Sequence, residues 1–98
     1  MKITFLKVAE IELDDAFEYY ESLQAGLGSR FLTELELSTE RISRFPFSYE
    51  KIGKYSRRCL VQKFPYGIIY QYTEAQKEIL IVAVSHLHRI PDYWSYRE

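Results

Sequence analysis

Several features that would assign this 98-residue chain to a familiar class of protein are scarce or missing. Its single cysteine, Cys59, cannot form an internal disulfide, and no spacing of Cys and His matches a zinc site. The longest uninterrupted apolar run, at 79–84, is far shorter than the roughly 20 residues of a membrane-spanning helix. Acidic residues from Glu10 onward come too early for a signal peptide. We therefore expect a cytoplasmic protein with no metal, no cofactor and no membrane association.

The net charge of −1 conceals two halves of opposite sign. Residues 1–50 contain five Lys or Arg against ten Asp or Glu, whereas residues 51–98 contain eight against four. The composition is globular, with 47% hydrophobic and 28% charged residues, and the length predicts one domain over residues 1–98. The charge asymmetry is compatible with two partner surfaces or with solubility alone.

Hydrophobic periodicity predicts two helices in the first half of the chain. Apolar residues recur on one helical face between residues 8 and 24, and the sequence Ala-Gly-Leu-Gly at 25–28 ends this first helix. A second apolar arc runs from Leu27 to Phe45, and the proline at position 46 ends the second helix. Because the connection is short, we expect the two helices to form an antiparallel hairpin.

Segments rich in β-branched and aromatic residues predict four strands, at 2–7, 57–64, 67–73 and 79–84. The apolar run at 79–84 is typical of a strand covered on both faces. Residues 48–56 are interpreted as a loop. The predicted order is βααβββ, an α+β fold in which an antiparallel sheet carries the N-terminal helical hairpin on one face.

Motifs in both halves of the chain point to one family. The second half contains Phe-Pro-Tyr at 64–66, before the third strand, and His-x-x-Arg-x-Pro-x-x-Trp at 86–94. The first half contains Gly-Leu-Gly-Ser-Arg-Phe at 26–31, where the second helix begins. With these motifs the chain resembles the ParE branch of the RelE/ParE toxins, which are the toxin components of bacterial type II toxin–antitoxin systems.

The resemblance implies a toxin that inhibits DNA gyrase and is neutralised by a cognate antitoxin, ParD-like or similar. RelE-like relatives instead cleave messenger RNA on the ribosome without a metal, and they typically carry an arginine near the start of the third strand. Gly67 occupies that position here and can do no acid–base or electrostatic work. This difference favours a gyrase-binding protein that is not an enzyme. A RelE-like endoribonuclease and an inactive remnant that only binds antitoxin are the alternatives.

The basic strand at 57–64 and the motif at 86–94 supply the candidate functional residues. We assign target binding to Arg58, His86, Arg89 and Trp94. Under the ribonuclease alternative, the catalytic residues would be Arg58, His86, His88 and Arg89. For His86, a structural role is the competing hypothesis, in which the imidazole hydrogen-bonds nearby backbone and holds the C-terminal segment.

The antitoxin of this family usually wraps along the helical hairpin and against the sheet. We therefore assign antitoxin binding to apolar residues of the two helices, namely Leu13, Phe17, Tyr20, Phe31 and Leu35. Aromatic residues make up 16% of the chain, but no Lys/Arg–aromatic motif of a known RNA-binding module is present. Direct nucleic-acid binding is accordingly not expected.

Overall fold

The helical hairpin forms as the periodicity predicts. In the computed structural model, which describes residues 1–98, strand β1 (Lys2–Phe5) leads into helix α1 (Lys7–Leu23) and helix α2 (Leu27–Arg44). Gly26 adopts a left-handed conformation between the helices, with φ at 88°. The Glu21 carboxylate accepts hydrogen bonds from the Gly26 and Gly28 N–H groups at 2.9 and 3.0 Å. It thereby satisfies backbone donors that the start of α2 leaves without helical partners.

A five-stranded sheet supports the hairpin. Its remaining strands are β2 (Glu50–Ile52), β3 (Ser56–Leu60), β4 (Tyr66–Thr73) and β5 (Glu78–His86), and a short 3₁₀ helix covers Ser95–Arg97. The spatial order of the strands is β1-β5-β4-β3-β2. The predicted α+β class, with the helices before most of the strands, is confirmed.

Three details of the sheet differ from the prediction, and the first is that the strand predicted at 57–64 ends at Leu60. Strand β2 lies within the segment that was predicted to be a loop. The prediction missed this strand because three residues with a single apolar side chain show no alternation of polar and apolar residues. Strand β1 pairs parallel to β5, so the sheet is mixed rather than wholly antiparallel. The helical hairpin between β1 and the rest of the sheet provides the crossover that parallel pairing requires.

The sheet is covered on both faces. The helix side buries most of the core, including Phe31, Leu35, Ile68 and Tyr70. On the opposite side, Trp94 packs against a smaller cluster made of Ile69, Val82 and Ala83. We call this second side the tail face and residues 87–98 the tail. The prediction that 79–84 is a strand covered on both faces is confirmed.

A β-bulge in β5 lets this one strand serve both clusters. Ile69 of β4 pairs with Ala83, and the next residue of β4, Tyr70, pairs with Ile81. Val82 is therefore the extra residue, and the side chains at 82 and 83 both contribute to the tail-face cluster.

None of the helices has both the length and the apolar character needed to span a lipid bilayer.

Candidate functional site

All four residues assigned to target binding line one cavity on the tail face. The cavity has a volume of about 90 Å³, and Arg58, His86, Arg89 and Trp94 are among its lining residues. Strand β3 supplies the first of them, the end of β5 supplies the second, and the tail supplies the other two. Residues separated by about 30 positions in sequence therefore meet at one place.

Arg58 occupies the space next to Gly67. A Cβ atom at position 67 would lie 3.1 Å from both Cγ and Cδ of Arg58, closer than ordinary van der Waals contact. The guanidinium at the end of this stem forms an ion pair with Glu50 on β2, with Nη2 2.9 Å from Oε1. The missing side chain at 67 thus allows the Arg58 stem to lie against the sheet.

The His86 imidazole forms a hydrogen bond within the chain. Its Nδ1 accepts a hydrogen bond from the His88 backbone N–H at 3.0 Å, so the proton of the neutral ring is carried by Nε2. The ring packs edge-on against those of Tyr66 and His88, with centroids 5.0 and 4.9 Å away. This is the structural role considered as the competing hypothesis for His86. His88 is exposed and is not part of the cavity lining.

Arg89 and Trp94 contribute to the cavity in different ways. The Arg89 guanidinium stacks on the Tyr93 ring, 3.6 Å from its centroid, and about half of the side chain is exposed. Trp94 is only 2% exposed, because its indole packs against the sheet. Arg89 can therefore contact a partner directly, whereas Trp94 forms part of the cavity wall and positions the tail.

A buried ion pair fixes the tail to α1. Glu12 Oε1 accepts hydrogen bonds from the Val84 N–H at 3.0 Å and from Arg97 Nη1 at 2.9 Å. Its other oxygen, Oε2, accepts from the Tyr93 hydroxyl at 2.8 Å and from Arg97 Nη2 at 3.0 Å. Arg89 Nη1 lies 3.4 Å from the same oxygen. One carboxylate thus holds three tail side chains.

This ion pair also completes the edge of strand β5. Strand β1 ends at Phe5, which pairs with Ile81, so the next residues of β5 have no strand on that side. Glu12 accepts the Val84 N–H, and Arg97 Nη1 donates to the Val82 carbonyl at 2.9 Å. Two side chains therefore take the place of a neighbouring strand and satisfy buried backbone groups.

The environment of the ion pair shifts two pKa values. Burial alone would lower the pKa of Arg97, but its hydrogen bonds with Glu12 outweigh this effect and raise it, so the guanidinium stays charged. Burial, together with the hydrogen bond donated to Glu12, raises the pKa of the Tyr93 hydroxyl. With side chains only 10% and 5% exposed, Glu12 and Arg97 form the least exposed ion pair of the chain.

Sequence reasoning missed Glu12 and Arg97. Glu12 stands in a run of acidic residues on α1, where nothing local separates a buried carboxylate from a solvated one. The available signal was its position beside Leu13 and Ala16, at the border of the apolar face. Its partner lies 85 positions away, so the pairing could be read only from the fold.

The residues assigned to antitoxin binding divide into two groups. Tyr20, Phe31 and Leu35 are buried in the core, where they join the hairpin to the sheet. Leu13 and Phe17 are partly exposed. The exposed apolar residues of α1 lie along an i, i+4 row, which contains Ile11, Tyr19 and Leu23.

Comparison with known proteins identifies the family. The sequence model described as "ParE toxin of type II toxin-antitoxin system, parDE" matches residues 3–91 of this chain. The chain belongs to the ParE toxin family. The resemblance inferred from the motifs is thereby confirmed, and the match extends over both helices and, except for Lys2, all five strands of this toxin.

A solved structure shares the fold of this ParE toxin. A chain described as "Chromosomal ParDE TA system from P. aeruginosa" aligns with a TM-score of 0.66 at 15% sequence identity. The alignment covers 90% of the toxin and 97% of the matched chain. A search of the curated proteins found no match. The low identity means that the structural likeness supports the fold only.

Proposed function

We propose that this toxin binds and inhibits DNA gyrase and that a cognate ParD-like antitoxin neutralises it. The observation that carries the proposal is the ParE family match over residues 3–91. The target would bind at the tail-face cavity, where Arg58 and Arg89 provide charge. Leu87 and Ile90 provide exposed apolar surface there, and the latter is 79% exposed. The toxin would act in the cytoplasm, as a single domain over residues 1–98.

The contacts in the cavity support binding rather than catalysis. Metal-free RNA cleavage needs a general base, a general acid and cationic groups around the reacting phosphate. Nδ1 of His86 already accepts a backbone hydrogen bond, and the guanidinium of Arg58 already pairs with Glu50. Gly67 adds no reactive group beside them. Because His86 and Arg58 are held by partners within the chain, they are suited to contact a protein target in one fixed geometry.

One observation favours the ribonuclease as a second candidate. Three of the four residues that would be catalytic in a RelE-like enzyme, Arg58, His86 and Arg89, line the same cavity. A substrate phosphate could displace Glu50 from Arg58, because that carboxylate is largely exposed and such ion pairs are weak. The gyrase proposal therefore needs an experiment that also detects RNA cleavage.

A supercoiling assay with purified toxin tests the proposal. We expect inhibition of gyrase at stoichiometric toxin and recovery of supercoiling when the antitoxin is added. Arg89→Ala should weaken inhibition by about tenfold, since it removes the more exposed cation of the cavity. Lys2→Ala, which removes an exposed cation from the β1 edge of the sheet, should leave inhibition unchanged and serves as the matched control.

A translation assay with ribosomes and messenger RNA provides the opposing outcome. Unchanged supercoiling together with cleaved messenger would replace the gyrase proposal by the ribonuclease. Lack of both activities, with antitoxin binding intact, would identify an inactive remnant. In cells, inhibition of gyrase should produce filamentation and a DNA-damage response, whereas a ribonuclease should stop translation first.

The antitoxin is proposed to bind along the helical hairpin. Leu13 and Phe17 remain contact candidates, together with the exposed row on α1 that contains Tyr19 and Leu23. The buried members of the assigned set, Tyr20, Phe31 and Leu35, would support this surface from beneath. An amphipathic antitoxin helix could cover this row with apolar side chains of its own, spaced at i, i+4 like those of α1.

A further inference from the structure

A second pocket, on the helix side of the sheet, combines cations with aromatic rings. It has a volume of about 190 Å³ and lies at the β2–β3 hairpin, away from the tail-face cavity. Lys51, Lys54 and Arg57 line it, together with the rings of Phe47, Tyr55 and Tyr72. No carboxylate is among its eight lining residues. These side chains come from residues 47–72, which explains why no compact motif revealed them.

Two of these cations lie directly opposite each other. Lys51 pairs with Arg57 across β2 and β3, and neither forms an ion pair with a carboxylate. On the other face of the same hairpin, Glu50 pairs with Arg58 and the charges are opposite. Like charges at facing positions destabilise a sheet. An anion bound between Lys51 and Arg57 would remove that repulsion.

Arg57 keeps an uncompensated charge. Its Nη1 donates to the carbonyl oxygens of Phe47 and Tyr49, at 3.1 and 2.8 Å, and these partners are neutral. The guanidinium also lies 5.5 Å from the centroid of the Phe47 ring. The same contacts fix Phe47 at the pocket, where this residue is 56% exposed.

The hairpin turn is held in one conformation by a tail residue. The Glu98 carboxylate accepts hydrogen bonds from the backbone N–H groups of Lys54 and Tyr55 and from the Ser56 hydroxyl, at 3.1, 2.8 and 2.6 Å. Tyr55 remains 64% exposed beside the pocket. Glu98 places one negative charge near three positive ones, so the hairpin keeps a net positive charge.

In contrast to the expectation from the sequence, we propose that this pocket binds single-stranded nucleic acid. Backbone phosphates would lie between Lys51, Lys54 and Arg57, and an unpaired base would stack on the exposed ring of Tyr55 or Phe47. The combination of a cationic groove and exposed aromatic rings is how proteins bind single strands without sequence preference. In duplex DNA the base faces are hidden, so exposed rings would have no partner. The proposal does not depend on gyrase as the target.

Fluorescence anisotropy with a labelled 12-nucleotide oligo-dT and the full-length chain tests this site. If three phosphates are neutralised, the logarithm of the binding constant should fall with the logarithm of the salt concentration with a slope of about −2. The affinity should therefore fall about 15-fold between 50 and 200 mM salt. In the double variant Lys51→Gln/Lys54→Gln the slope should shrink to about −0.7, a loss of about threefold over the same range. Tyr55→Ala should weaken binding about tenfold at constant slope, whereas Tyr55→Phe should not.

The matched control, Lys2→Gln/Lys7→Gln, removes an exposed cation from the edge strand β1 and another from the first residue of α1, and it should bind like the wild type. Melting followed by circular dichroism verifies that every variant is folded. Absence of oligo-dT binding at 50 mM salt, or equal slopes for both double variants, would overturn the proposal. It would also be overturned if poly-glutamate bound as tightly and required the same lysines, because the partner would then be an acidic polypeptide.

Discussion

At the scale of single residues, the side chain at position 58 and the missing side chain at position 67 depend on each other. The stem of Arg58 lies where a Cβ of residue 67 would begin, with contacts of 3.1 Å. A side chain at 67 would therefore require the Arg58 stem to shift by a few tenths of an ångström.

Replacement of Glu12 should lower the stability of the fold markedly. In Glu12→Gln the amide nitrogen can no longer accept the hydrogen bonds that one carboxylate oxygen now receives. Arg97 would then be a buried charge without a countercharge, which costs about 3 kcal/mol of unfolding free energy. Urea denaturation measures this loss.

Glu18→Gln provides the control for that measurement. Glu18 lies on the same helix but is exposed, and its replacement should change the unfolding free energy by less than about 0.5 kcal/mol. Equal stabilities of the two variants would mean that Glu12 is not the anchor of the tail.

At the scale of elements, the long helices were predictable and the short or distant pairings were not. The predicted helices at 8–24 and from Leu27 to Phe45 correspond closely to α1 and α2, because each repeats its apolar pattern over several turns. β2 has three residues, too few for a period. The parallel partner of β1 lies some 75 positions along the chain, and no local pattern encodes it.

The candidate site followed the same division. The motif at 86–94 predicted residues that share a cavity with Arg58, because that cavity lies where β5 leads into the tail. Arg97 lay outside the motif and Glu12 outside any recognised pattern. Their pairing depends on the point where β1 ends, a tertiary feature.

The contact between α1 and α2 gives a prediction about helix packing. A Cβ at position 28 would lie 2.8 Å from two ring carbons of Phe17 and 2.8 Å from its carbonyl oxygen. Gly28→Ala gains up to about 1 kcal/mol of helix propensity, but the backbone oxygen cannot move aside as a flexible side chain would. Overpacking of this kind costs about 1–3 kcal/mol, so we expect a net loss of stability.

The neighbouring Ser29→Ala is the matched control, because Ser29 is exposed on the same turn of α2. Thermal melting of both variants compares them directly. A higher melting temperature for Gly28→Ala than for the wild type would mean that the helices separate easily at this point.

At the scale of the whole molecule, charge is distributed unevenly across the sheet. Helix α1, which packs on β5, carries six acidic residues and one lysine. The β2–β3 hairpin, at the far edge of the sheet, carries the unpaired cations of the second pocket. A polyanion approaching in solution would therefore be attracted to the hairpin and repelled by α1.

Global stability should fall at alkaline pH. Burial, more than neighbouring charges, raises the pKa of Tyr66 and of Tyr70 to about 12, from 10.0. Because the folded-state values are the higher ones, both hydroxyls favour the folded state below pH 10, and this contribution disappears as the pH rises through about 12. Urea denaturation between pH 9 and 12 should show the decline, since unfolding then releases protons.

Tyr66→Phe should make that decline shallower, because it removes one of the hydroxyls whose pKa is raised by burial. Tyr96→Phe, at a residue that is 78% exposed, is the control. A pH profile that Tyr66→Phe leaves unaltered would assign alkaline unfolding to other groups.

The bulge at Val82 has a consequence for how this protein can vary. Successive side chains of a strand point to opposite faces of the sheet. One extra residue therefore exchanges the faces to which all later side chains of the strand point. Val84 faces the helices only because of this exchange. Removing one residue here would exchange the two faces of the end of β5, so that side chains now facing the helices would face the tail, even if every remaining side chain were kept. Between Ile81 and His86, the number of residues is thus as constrained as their chemical nature.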